Sequence, residues 1–247
     1  MVAVPDGGTD FKESVMRVAI FSDVHGNLRA LEAVLAEIRA RGPFDQIINA
    51  GDLAFGGPRP REAVDLLMQG NYPTLMGNTD MWVAGIEHSG SEVVAWARRR
   101  LEPQHEEFLA RLPRSYRIEP PAGPPLVVVH ATPTSLSDVL DPQAAPDIVR
   151  RMFAEAEAKT LVYGHIHRAY VREVAGGLVV NSGSVGFPFD GNPQPSFAIL
   201  ELQSGRWAGE IVRTAYDTEA VARDLLAGDH PEADAFARRV RSGRMNP

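Results

Sequence analysis

The 247-residue chain has no cysteine. That excludes disulfides and thiolate metal sites, so any metal must be held by His, Asp, Asn or Glu. Such donors suit Mn, Fe, Zn or Mg better than a soft ion. A basic excess is also lacking. The formal net charge is −7, which argues against the broad positive face of a nonspecific nucleic-acid binder. No apolar run approaches the length of a membrane span. Met1 to Ser14 carries Asp6, Asp10 and Glu13 around no apolar segment, unlike a secretory signal. These absences lead us to expect a cytoplasmic protein with a small-molecule partner, no stable nucleic-acid binding and no membrane. A homodimer is left open, because homodimers are common. The short basic runs Arg98-Arg99-Arg100 and Arg238-Arg239-Val240-Arg241 read as solvated helix faces.

What is present is a core and a pattern. Apolar residues make up 44% of the chain, enough for one large α/β domain. Residues 1–15 read as a flexible tail and 16–247 as a single domain, with 216–247 a C-terminal helical segment. A strand at Arg17–Phe21 runs through Gly26 into a helix capped by Asn27, whose apolar face is Leu28, Leu31, Val34, Leu35 and Ile38. Gly42-Pro43 stops that helix, and a second strand follows near Asp45–Ala50. Pro58 and Pro60 open a second helix, Tyr72–Met76 reads as a third strand, and Thr79–Leu112 reads as helical. A hairpin joins Tyr116–Ile118 to the strand ending at His130, and a helix over Asp147–Ala158 feeds the strand before Gly164. Beyond it, Tyr170–Val174, Leu178–Asn181, Phe197–Leu202 and Trp207–Val212 alternate like consecutive antiparallel strands; Thr218–Ala227 and Pro231–Arg241 then finish as helices. The expected architecture is two sheets packed face to face with helices outside.

Five apolar runs each end in a possible ligand: Asp23 and His25, Asp52, Asn78, His130, and His165 with His167. Ligands of open α/β sheets gather outside the carboxyl ends of the strands. Alone, Gly51-Asp52 is an ordinary turn and Asp23-Val24-His25 an ordinary cap. Gly164-His165-Ile166-His167 is harder to explain structurally. Together, oxygen and imidazole donors at one sheet edge describe a site for two divalent ions, and such sites do phosphoryl chemistry. Asp52 is the best candidate for a bridging carboxylate. Asn78 offers an oxygen to a metal and an amide NH₂ to a phosphate. Gly51, Gly77 and Gly164 are read as permitting the sharp turns that aim the next side chain. His88, His105 and His230 read as exposed, and Trp82 and Trp96 as packing residues.

With these residues in view, the chain resembles the calcineurin-like metallophosphoesterases, and most closely their small bacterial and archaeal phosphodiesterase branch. The likeness rests on Asp23-Val24-His25-Gly26-Asn27, Gly51-Asp52-Leu53, Gly77-Asn78-Thr79-Asp80, His130 and Gly164-His165-Ile166-His167. Similar proteins also carry counterparts of Gly57-Pro58-Arg59-Pro60-Arg61-Glu62 and of Asn181-Ser182-Gly183-Ser184-Val185-Gly186. The resemblance implies a four-layer α-β-β-α sandwich of two mixed sheets. It implies one metal held by Asp23, His25, Asp52 and His167, and a second held by Asp52, Asn78, His130 and His165. Manganese is the favoured metal, with Fe, Zn, Ni and Mg as alternatives. A water or hydroxide between the ions would attack phosphorus in line, with Asp52, Asn78 and His130 in catalytic positions and Asn27, Asn78 and Thr79 near the substrate.

Two departures bear on the substrate. Many members have His where this chain has Thr79, and similar proteins often have Arg where it has Phe189. Without a side-chain acid at Thr79, either substrates whose leaving group needs little protonation are favoured or another group serves as the acid. The expected activity is therefore hydrolysis of a small or nucleotide phosphodiester. A phosphomonoesterase, protein phosphatase or dinucleoside polyphosphate hydrolase is the second reading, and a non-catalytic scaffold of the same fold is the third.

Overall fold

A computed structural model describes residues 16–246. The expected N-terminal tail, 1–15, lies outside the described residues. In chain order the elements are β1 (Met16–Phe21), α1 (Leu28–Arg41), β2 (Gln46–Asn49), α2 (Pro60–Gly70), α3 (Asn78–Val83), α4 (Glu92–Arg98) and α5 (Pro103–Ala110). They continue with β3 (Ser115–Ile118), β4 (Leu126–Val129), α6 (Pro146–Ala156), β5 (Thr160–Tyr163), β6 (Tyr170–Val174), β7 (Gly177–Asn181), β8 (Ser196–Gln203), β9 (Arg206–Arg213), α7 (Thr218–Ala227) and α8 (Ala233–Ser242).

The strands form two mixed sheets, ordered β2-β1-β8-β9 and β3-β4-β5-β7-β6. Strand pleating explains the layers, because successive side chains point to opposite faces. Val18 and Ile20 of β1 join Leu126 and Val128 of β4 in a core between the sheets. Ala19 and Phe21 turn the other way, onto Leu31, Val34 and Leu35 of α1. Val127 and Val129 turn onto Val149 and Phe153 of α6. Strands covered on both faces read as unbroken apolar runs, as these do. The helices start and stop where local chemistry dictates. Asn27 Oδ1 accepts from Ala30 N at 3.2 Å to open α1, Asp217 Oδ1 accepts from Ala220 N at 2.8 Å to open α7, and α2, α5 and α6 each begin at proline.

Three expectations change. Tyr72–Met76 is not a strand: its only ladder contact is an isolated parallel bridge between Asn49 and Thr74. Pro73 has no N–H to give, and Met76 N donates instead to Pro113 O at 2.8 Å. The helical stretch Thr79–Leu112 is three short helices, α3, α4 and α5. The four alternating strands after residue 170 are two separate hairpins: β6 and β7 close the five-stranded sheet, while β8 and β9 belong to the other. β7 also pairs in parallel with β5, and the loop from 182 to 195 carries the chain between the sheets.

The C-terminal helices do not stand apart. Val221 and Leu225 of α7 and Phe236 and Val240 of α8 are buried with Val93 and with Phe187 of the inter-sheet loop. Among the described residues, no helix is long and apolar enough to cross a membrane.

Candidate metal centre

Two pairs of parallel strands bring their carboxyl ends together. β1 and β2 pair in one sheet, β4 and β5 in the other. Backbone hydrogen bonds lock the loops beyond them: Asp23 N to Gly51 O at 2.9 Å, and Gly164 N to His130 O at 2.9 Å. The sheets are then joined through a side chain, because Asp23 Oδ2 accepts from His165 N at 2.9 Å. The aim of the side chains comes from the backbone. Asp23, His25, Asp52, His165 and His167 all have positive φ, between 51° and 64°. Left-handed backbone in five non-glycine residues is unusual and costs energy. Strand alternation plays no part in aiming Asp23 and His25, because β1 ends at Phe21 and both residues lie in the loop beyond it.

The glycines act differently from expectation. Gly51 does supply a positive φ of 102°. Gly77 and Gly164 are needed for room instead. A Cβ on Gly77 would strike the Asp52 carboxylate, and one on Gly164 would strike Ser22 Oγ and the Asp23 carboxylate.

All seven candidate ligands converge. His25 Nε2 lies 3.1 Å from His167 Nε2, and His167 Nε2 lies 3.1 Å from Asp23 Oδ1. Asp52 Oδ2 sits 3.6 Å from His25 Nε2 and 3.5 Å from His130 Nε2. Asn78 Oδ1 is 3.1 Å from His130 Nε2 and 3.0 Å from His165 Nδ1. Two groups that could hold an ion follow: Asp23 with His25 and His167, and Asp23 with Asp52 and His130. Asp52 touches the imidazoles of both sides.

The far edges of the rings fix their tautomers, because a backbone carbonyl can only accept. His25 Nδ1 donates to Phe55 O at 2.9 Å, His130 Nδ1 to Ala50 O at 2.8 Å and His167 Nδ1 to Phe187 O at 2.6 Å. His165 Nε2 donates to Ser137 O at 3.1 Å. Each imidazole therefore turns a lone pair inward, toward other lone pairs, and Asp23 Oδ1 is buried with no hydrogen-bond donor. Lone pairs at these separations repel unless a cation lies among them, so the donor set fits a divalent metal. Without a cation, protons are drawn to the same cluster. Burial works to raise the Asp23 carboxyl, but His167, His25 and His130 hold it well below the usual carboxylate range. Burial works to lower His25 and His130, yet the neighbouring Asp23 and Asp52 push both imidazoles up. His165, with burial and His130 acting together, is pushed down.

Asp80 was part of the recognised motif but had no assigned task. It is fully buried and accepts from Asp52 N at 2.7 Å, Leu53 N at 2.8 Å and Gly77 N at 2.9 Å. It thereby ties the Asp52 turn to the start of α3, while Thr79 N holds Asp52 Oδ1 at 2.9 Å. Burial and the nearby Asp52 charge raise its own carboxyl to about 6.

The centre opens into a cavity of ≈ 160 Å³. Its polar walls include Asp52, Asn78, Thr79, His165 and His167; its apolar walls include Phe55, Phe187, Phe189 and Phe236. Phe189 stacks flat on His167, with centroids 4.4 Å apart. Asn27 is not brought to this cavity. Its oxygen caps α1, and its Nδ2 donates to Gly186 O at 3.0 Å and Tyr216 Oη at 3.3 Å, so its amide is used within the fold.

A family model, the calcineurin-like phosphoesterase superfamily domain, matches residues 16–205. An uncharacterised protein of Methanocaldococcus jannaschii is 29% identical over 236 residues, covering 87% of this chain and 94% of that one. A solved metallophosphoesterase from Sphaerobacter thermophilus is 28% identical with a TM-score of 0.73, covering 93% of this chain and 100% of that one. A hypothetical protein from Pyrococcus horikoshii, 20% identical with a TM-score of 0.78 over 92% of this chain and 98% of that one, shares the fold. The sandwich, the convergent donors and the matched length agree: the chain belongs to the calcineurin-like phosphoesterase superfamily.

Proposed function

We propose that the chain is a two-metal phosphoesterase of the cytoplasm that hydrolyses a small or nucleotide phosphodiester, working as one domain over residues 16–247. The observation that carries this reading is the position of Asp52 Oδ2, 3.6 Å from His25 Nε2 and 3.5 Å from His130 Nε2, two imidazoles that fall in different donor groups. In this reading one ion is held by Asp23, His25, Asp52 and His167, and the other by Asp52, Asn78, His130 and His165. Manganese is our choice among the divalent ions that oxygen and imidazole donors accept, with Fe, Zn, Ni and Mg as its rivals. When bound, such ions supply Lewis-acid activation of water and of the phosphoryl oxygens.

The remaining work falls to the chain. Asn78 turns its oxygen to His130 and His165, which frees its Nδ2 to donate to a phosphoryl oxygen. Thr79 lines the cavity and its Oγ1 is buried without a partner, so in this reading its hydroxyl turns to the substrate as a second donor. Neither group is an acid near neutral pH. General-acid help is typically worth about 10²–10⁴-fold, and its absence favours leaving groups that depart unprotonated. Phe55, Phe187 and Phe189 make the rest of the cavity wall apolar.

The test compares Mn-loaded protein and Asp52→Asn on paired activated aryl phosphodiester and phosphomonoester substrates. The wild type should cleave the diester faster, and the variant should lose both activities. Two equally inert proteins across several metals would exclude the reading, and a monoester preference would replace the diester.

A further inference from the structure

Everything after residue 205 lies outside the matched family domain, yet α8 reaches the cavity. Phe236, Arg239 and, just beyond the helix, Met245 form part of its wall. The run Arg238-Arg239-Val240-Arg241 reads in the sequence as one solvated basic face, but the helix splits it three ways. Arg238 is exposed. Arg241 makes two hydrogen bonds to the Glu219 carboxylate, both 2.9 Å. Arg239 is half-buried and turned to the cavity.

Arg239 is held but not neutralised. Its guanidinium carbon lies 4.5 Å from the centroid of the Phe236 ring, and its Nε donates to Met245 O at 3.1 Å. Among the described residues, no carboxylate comes within ion-pair distance of it, and its two terminal nitrogens have no protein acceptor. Arg29 and Arg59 share Asp224, Arg100 pairs with Asp229 and Arg213 with Asp190; Arg168 and Arg244, which like Arg239 have no ion pair among the described residues, line only the adjoining groove. A guanidinium held through its Nε in the wall of a cavity, with both terminal nitrogens unused, suits two-point contact with a phosphate. Thr79, whose Oγ1 is buried and unpartnered, lines the same cavity. No other cationic side chain that does not belong to the donor set lines it.

We propose that Arg239 binds the non-bridging oxygens of the substrate phosphate, so that the C-terminal helix completes an active site whose metal ligands come from elsewhere. The proposal rests on the phosphoesterase reading above. The organic part of the substrate then lies in the adjoining groove of ≈ 580 Å³, which shares His165, Phe189 and Met245 with the cavity.

The experiment uses the full chain reconstituted with Mn²⁺, as wild type, Arg239→Ala, Arg239→Lys and Arg238→Ala. Bound Mn per chain, inorganic phosphate affinity by calorimetry, and kcat and KM on the aryl diester are measured. Arg239→Ala should hold as much Mn as wild type but bind phosphate roughly 10- to 100-fold more weakly, the range of a charge-assisted hydrogen bond, with KM raised. Arg239→Lys should recover part of the affinity, and Arg238→Ala should behave as wild type. Unchanged phosphate binding in Arg239→Ala, beside an active wild type, overturns this inference alone. So does a loss in both Arg239 variants that only tracks lost Mn or a lower melting temperature. A wild type that takes up Mn but neither binds phosphate nor cleaves the diester overturns the phosphoesterase reading as well.

Discussion

Left-handed backbone at Asp23, His25, Asp52, His165 and His167 means that the ligands are aimed by strain that the surrounding packing must hold. Gly164 is one such support. A methyl group there would meet Ser22 Oγ and the Asp23 carboxylate. Gly164→Ala should therefore lower the unfolding free energy by about 1–3 kcal/mol, as overpacking does, and lower bound metal per chain; denaturant titration and metal analysis read the two effects. Asp80 is another. Its carboxylate serves three N–H donors, and an amide in its place presents a donor to at least one of them. Asp80→Asn should weaken metal affinity by roughly 10- to 100-fold, the usual penalty for losing a group that orients a ligand; calorimetry with Mn²⁺ measures it, and an unchanged affinity would remove Asp80 from this role. At this scale the donor types at each strand end were legible in the sequence. The left-handed turns were not, because Asp and His occur mostly in ordinary backbone and nothing in their type marks the exceptions. Nor was the spending of Asn27 on a cap, since one amide serves a helix or a ligand equally well.

Among the elements, α7 and α8 are fastened by a histidine that the sequence reading placed in solvent. His230 is buried, packed against Trp96 at 4.6 Å and Phe236 at 4.8 Å. Its Nδ1 accepts from Glu232 N at 3.1 Å. Burial and the Arg100 guanidinium push it down to about 4, from an ordinary value of 6.5. The unfolded chain thus takes up a proton before the folded one does. Stability contributed by neutral His230 is whole above pH 6.5 and falls as pH drops toward about 4. Unfolding titrations across that window should show the decline, and His230→Phe should flatten it; equal slopes in the two proteins would contradict the assignment. His105, also expected at the surface, is buried because Nδ1 accepts from Glu102 N at 2.9 Å and Nε2 faces Asp65 at 2.9 Å. Helices with a proline at the first position or a clear cap were readable from sequence. Pro73, which denies Tyr72–Met76 a ladder, was equally visible but outweighed by the apolar pattern around it.

Across the whole molecule, the centre lies where two sheets meet, and His165 N to Asp23 Oδ2 is a direct bond between them. If the proposed ions bind among Asp23, His25, His130 and His167, the metal-free protein should be the less stable form. Ions that bind only the folded chain stabilise it by about 2.7 kcal/mol at a hundredfold excess over Kd. For a domain of this size that corresponds to roughly 5–10 °C in melting temperature. Scanning calorimetry with Mn²⁺ and after chelation should show the gap, and identical melting curves would contradict metal binding. The two-sheet sandwich was legible because doubly covered strands carry unbroken apolar runs. The assignment of the late hairpins to different sheets was not, since alternation fixes which face is buried and not which neighbour is paired. The contribution of α8 to the cavity was hidden for a similar reason: a helical repeat identifies Phe236 as buried, but not what its neighbour Arg239 faces.

The central claim is that Asp52 joins two metal positions. The most direct measurement is anomalous diffraction at the manganese edge from crystals of Mn-loaded protein. Two peaks about 3.5–4 Å apart are expected, with Asp52 between them, one beside Asp23, His25 and His167 and the other beside Asn78, His130 and His165. A single peak, or peaks away from Asp52, would contradict it.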